Sequence, residues 1–148
     1  MQVLRIDKCD MKVSIPKVGG TYVLLLYCPK GARITVGRLG AIDFKRGWYA
    51  YAGSAFGPGG LSARVGRHLR EKKNIHWHID YLRAIAKPRE IWYSTKSESS
   101  EHVLAAALYN GAGTPVKGFG CTDCRCISHL TYFSRRPDVN LLESFDMP

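Results

Sequence analysis

The stretch GTYVLLLY, residues 20–27, sets the first limit on this chain. Aromatic and aliphatic side chains run unbroken from Tyr22 to Cys28, with Gly20 before them and Cys-Pro-Lys-Gly after them as a turn. It is the longest apolar run in the sequence, yet far short of the roughly 20 residues that a membrane span needs. It therefore reads as a β-strand. A second strong strand covers residues 47–53, GWYAYAG. Shorter ones are expected at 33–37 (RITVG, able to pair back as a hairpin), 41–44 (AIDF), 89–95 (REIWYST) and 130–133 (LTYF).

Helical periodicity fills the gaps. Leu61, Val65 and Leu69 share one face of a helix running to about Arg70. A second helix is expected over 77–86, with Ile79, Leu82 and Ala86 inward and Pro88 ending it. A third runs from about Glu98 to Tyr109, with Thr95 and Glu98 at capping-box spacing and Asn110-Gly111 as its stop. The expected class is α+β: a small, mainly antiparallel sheet of three or slightly more strands, flanked by helices. Residues 1–18 read as an N-terminal extension with room for a short strand, 19–133 as the domain, and 134–148 as a C-terminal tail.

The charge balance is lopsided, with 22 Lys and Arg against 12 Asp and Glu, a net charge of +10. Such an excess favours a polyanionic partner. The N-terminus carries no apolar signal-peptide core. The five cysteines are an odd number, and three of them crowd into residues 121–126, which argues against an exported disulfide framework. A reduced, cytoplasmic protein is expected.

Residues 47–69 concentrate the chemistry. A tyrosine strand runs into the glycine corner SAFGPGG and then into a helix carrying Arg64 and His68, one turn apart. Guanidinium binds phosphate as a bidentate fork, and an adjacent imidazole can exchange a proton. Glycines let backbone approach a ligand, and a helix start offers N–H groups to an anion. Glu101 shares its helix face with Leu104, Ala105 and Leu108, an uncommon place for a carboxylate unless it is paired, metal-bound or solvated at the helix start. In HWHID, residues 76–80, the H-x-H-x-D spacing is that of metal hydrolases, but the further ligands such sites need are missing, so a polar helix start around Trp77 is preferred. Cys121, Cys124, Cys126 and His129 are zinc-type ligands. Four ligands within nine residues would have to wrap an ion in one tight loop, so inert thiols are the preferred reading and zinc the lesser one.

Taken in order, Gly20-Thr21-Tyr22, Tyr51-Ala52-Gly53, Arg64 and His68 in LSARVGRHL, and Glu101 resemble the GIY-YIG nuclease superfamily. GTYVLLL, WYAYAGSAFGPGGLSARVGRHL, HWHIDYL and GFGCTDCRCISHL are similar to one branch of it. That branch consists of short, mostly uncharacterised archaeal and bacterial proteins, and its domain also occurs fused to endonuclease III-type repair enzymes. The resemblance covers residues 19–133. It implies a divalent-metal-dependent endonuclease hydrolysing phosphodiester bonds, with DNA favoured over RNA and a repair glycosylase as a conceivable partner. Tyr22 would act as base or positioner with Tyr51 assisting, Arg64 would stabilise the phosphate, and His68 would take a proton. Glu101 would hold one Mg²⁺ or Mn²⁺. Arg67, Arg70, Lys72, Lys73, His76, His78 and Arg125 are the expected contacts to flanking phosphates. The competing expectation is a nuclease fold that binds nucleic acid without cutting it.

Overall fold

The computed structural model describes residues 1–6, 14–71, 73–96, 100–121 and 125–145, the last three by their backbone alone. The strand expected at 20–27 is β2 (Gly20–Cys28), one residue longer, and it lies inside a six-stranded sheet. Its neighbours are β5 (Gly47–Ala55) and β6 (Lys87–Ser94), both antiparallel to it. Strand β1 (Gln2–Arg5) pairs outside β6, while β8 (Leu130–Phe133) and β7 (Thr114–Pro115) complete the opposite side. The order is β1-β6-β2-β5-β8-β7, and each pairing is antiparallel. Sequence reasoning anticipated the class and the inner strands, and the sheet is larger than the three-stranded minimum.

The unbroken apolar character of β2 has a plain cause, since side chains alternate between the faces of a strand and both faces here are covered. Tyr22, Leu24 and Leu26 pack with Leu61, Val65 and Leu69 of α1 (Gly60–Leu69) and with Ile79 and Leu82 of α2 (His78–Leu82). Val23 and Leu25 pack with Leu104, Ala105 and Leu108 of α3 (Glu101–Tyr109). Burial of those helix faces is as the periodicity predicts. Leu142, from a closing 3-10 helix at Val139–Phe145, joins the second core. The N-terminal segment thus adds an edge strand, and the tail adds a core residue.

Three local expectations change. RITVG forms β3 (Ala32–Thr35), which pairs with β4 (Ala41–Phe44) as a separate two-stranded sheet. Helix α2 stops at Leu82 instead of continuing to residue 86. Its chain tightens into a turn in which the N–H groups of Ile85 and Ala86 both reach the Leu82 carbonyl. Helix α3 starts at Glu101, because Ser100 is its N-cap and accepts the His102 N–H at 3.2 Å. The Thr95–Glu98 capping pair does not start this helix, and Glu98 itself lies outside the described residues.

Candidate active site

Strands β2 and β5 meet in a register that sets Tyr22 opposite Gly53. The phenol of Tyr22 lies across that glycine, where a Cβ would run into its hydroxyl. The Gly of Tyr-Ala-Gly is therefore a packing requirement imposed by the Tyr of Gly-Thr-Tyr. From here the Tyr22 hydroxyl reaches Nε2 of His68 at 2.7 Å. Both residues are 1% exposed, and the His68 Nδ1 has no hydrogen-bond partner among the described residues. Tyr51 stands edge-on to the same imidazole, with ring centroids 5.9 Å apart.

Burial controls the protonation of this group. It pushes the Tyr22 phenol well above its ordinary value, helped by Tyr51, while the charge and hydrogen bond of Arg64 pull the other way without prevailing. Burial and Glu101 raise Tyr51 in the same manner. Arg64 by itself does not bring Tyr22 below its ordinary value, because desolvation of the phenolate outweighs one neighbouring cation. His68 moves down to about 3, through burial first and the Lys73 ammonium second, so it is a neutral imidazole at neutral pH. A neutral phenol and a neutral imidazole thus share a short hydrogen bond.

Helix α1 supplies Arg64 one turn before His68. Its guanidinium lies 4.5 Å from the centre of the Trp77 ring, and that of Arg67 lies 4.1 Å from it. Arg67 is fixed further by a fork onto Asp80, with Nη1 donating to Oδ1 at 3.0 Å and Nη2 to Oδ2 at 2.8 Å. Asp80, whose side chain is 0% exposed, also accepts the N–H groups of His76 and Trp77. Burial alone would raise Asp80, but the Arg67 fork and the two N–H groups hold it down at about 2. The Asp of HWHID is therefore a structural anchor. His78 accepts the Gly120 N–H on Nδ1 at 2.8 Å, pinning the loop before β8, and His76 is exposed. The metal-hydrolase reading of this stretch finds no support in these partners.

Glu101 arrives from the other face of the sheet, at the first turn of α3. Ser54 of β5 donates to its Oε1 at 3.1 Å, and its Oε2 lies 3.6 Å from Nδ1 of His129. At 29% exposure it is neither free in solvent nor sealed. Its negative charge acts on both phenols, so Tyr22, Tyr51, Arg64, His68 and Glu101 form one electrostatic unit.

The start of α1 corrects an expectation. The N–H of Leu61 goes to the Val18 carbonyl, that of Ser62 to Pro16, and that of Gly60 to Gly57. The first two hold the N-terminal segment and the third closes the glycine corner, so none of them is offered to an anion. What remains beside the glycine corner is a hollow of about 130 Å³ bordered by Gly57, Pro58, Ala63, Arg64 and Arg67.

The expected phosphate contacts divide. Arg70, His76 and Arg125 are exposed. Lys73 is turned inward, 8% exposed, donating to the carbonyls of Arg67 and His68 at the end of α1. Arg67 serves Asp80, His78 serves the loop, and Lys72 lies outside the described residues. Of the zinc-type set, Cys121 donates to the Phe119 carbonyl and Cys124 lies outside the described residues. Cys126 instead meets His102, a residue absent from the expected ligand set. Sequence reasoning also missed Ser54 and the role of Asp80, neither of which carries a signal at short range.

The family model described as "Domain of unknown function DUF123" matches residues 21–145. The chain belongs to that family. No curated protein and no solved structure matches it. The matched span of this DUF123 chain includes all five residues of the unit, from Tyr22 to Glu101. No helix among the described residues is long and apolar enough to cross a membrane.

Proposed function

We propose that this DUF123 chain is a divalent-metal-dependent nuclease of GIY-YIG type that hydrolyses phosphodiester bonds, with DNA as the favoured substrate. The observation that carries the reading is the 2.7 Å contact between Tyr22 and a neutral His68, set beside Arg64 and within the field of Glu101.

The roles follow from the chemistry of each group. The Tyr22–His68 couple accepts the proton of the attacking water. The phenol stays protonated overall and passes a proton along its hydrogen bond to the imidazole, a weak base while burial holds it at about 3, so positioning the water is the couple's larger share. Arg64 faces the charge that grows on the phosphoryl oxygens, and Trp77 holds its guanidinium in place. Tyr51 orients His68 by its edge contact. Glu101 and the Ser54 hydroxyl are hard oxygen donors, partly open to solvent, which is the donor chemistry Mg²⁺ or Mn²⁺ takes when most of its shell remains water. Such an ion, when bound, supplies charge neutralisation at the leaving oxygen.

The burial of Tyr22 and His68, each 1% exposed, favours the second reading, a fold that binds nucleic acid without cutting it. Cleavage of labelled DNA by Arg64→Ala and Glu101→Ala variants separates the two. Each substitution is expected to lower the rate by about 10²–10³-fold or more while leaving the circular dichroism spectrum unchanged. Full activity in either variant contradicts the mechanism.

A further inference from the structure

We propose that His102, Cys126 and His129 form a second metal site, for zinc or a similar transition ion, separate from the carboxylate at Glu101. One ligand atom from each of the three lies within 4.8 Å of the others. Cys126 Sγ and His102 Nδ1 are 3.3 Å apart, and the two imidazole rings stand edge to face with centroids 5.4 Å apart. A tetrahedral ion with Zn–S near 2.3 Å and Zn–N near 2.0 Å needs ligand atoms about 3.5 Å apart. The sulfur–nitrogen pair already has that spacing, and the third atom requires a modest closing.

The donor set chooses the metal. A thiolate with two imidazoles suits Zn²⁺ and disfavours Mg²⁺ and Mn²⁺, which take oxygen ligands. The placement also answers the objection raised by sequence spacing. Four ligands within residues 121–129 would crowd one loop, whereas here the ligands come from two separate places. His102 sits in the first turn of α3, and Cys126 and His129 precede β8. An ion joining them would tie that segment to the start of the helix that carries Glu101. Glu101 Oε2, 3.6 Å from His129 Nδ1, borders the cluster, so the second site would fix the carboxylate's surroundings.

The test uses the full chain, produced in zinc-supplemented medium with no polyhistidine tag, and reads bound metal without reference to cleavage. After dialysis, elemental analysis is expected to find one zinc per chain. The cobalt-substituted protein is expected to show tetrahedral ligand-field bands and a thiolate-to-cobalt charge-transfer band. Cys126→Ser should abolish that band, and His102→Ala should weaken zinc affinity by about 100-fold or more. His102 is exposed, so its replacement leaves the core intact. Glu101→Ala should keep its zinc even where cleavage is lost, which separates failure of this site from failure of the nuclease reading. A wild-type chain that takes up no zinc on titration overturns the proposal. So does a cobalt form without the charge-transfer band, or zinc binding that survives both ligand substitutions undiminished.

Discussion

At the scale of single residues, His68 has the widest consequences. The unfolded chain protonates this imidazole below about pH 6.5, whereas the folded protein does so only near 3. Between those values the unfolded state binds more protons, so stability falls as pH drops from about 6.5 toward 3. Asp80 adds to this lower down, since its contribution is complete above its ordinary value and is lost as pH falls toward about 2. Thermal unfolding is therefore expected to show a declining Tm from pH 7 to pH 4. His68→Gln is expected to give a visibly shallower decline. An identical decline in the variant would mean that His68 is not held neutral by burial. Gly53 belongs to the same scale, because the sequence shows a glycine after Tyr51-Ala52 but only the register shows that Tyr22 needs it.

Between elements, the Arg67–Asp80 fork joins α1 to α2 and sets Trp77 beneath Arg64. Asp80→Ala would leave Arg67 partly buried without its counter-charge and would orphan the N–H groups of His76 and Trp77. A loss of about 3–5 kcal/mol is expected in urea denaturation. A loss below about 1 kcal/mol would show that the fork is ornamental. Much of this level was legible beforehand. Leu61, Val65 and Leu69 announce α1 by their spacing, and the apolar run at 20–27 announces β2. The ordered resemblance names Tyr22, Tyr51, Arg64, His68 and Glu101 as candidates, and the structure brings these five near one another. What escaped depends on contacts distant in sequence. Arg67 looks like a free cation until Asp80, thirteen residues on, is seen to hold it. The first N–H groups of α1 look available until the carbonyls of Pro16 and Val18 are seen to take them. His102 and Cys126 are 24 residues apart, too far for any spacing rule to pair them.

For the whole molecule, the net charge of +10 remains the broadest statement about partners. Part of it is spent internally, since Arg67 and Lys73 serve the joint around Asp80. Among the described residues of the expected set, Arg64, Arg70 and Arg125 are the cations not taken by the Asp80 joint. With about three phosphates neutralised, log affinity for duplex DNA should fall against log salt with a slope of about −3. A slope near zero in a fluorescence anisotropy titration would remove nucleic acid as the partner.

The measurement that bears most directly on the central claim is cleavage itself. Pure protein is incubated with labelled single-stranded, duplex, flapped and abasic DNA and with RNA, in Mg²⁺, Mn²⁺ or EDTA, with Glu101→Ala alongside. Cutting is expected to require the divalent ion and to disappear in the variant. Binding without cutting on every substrate, or cutting that Glu101→Ala retains in full, would contradict it.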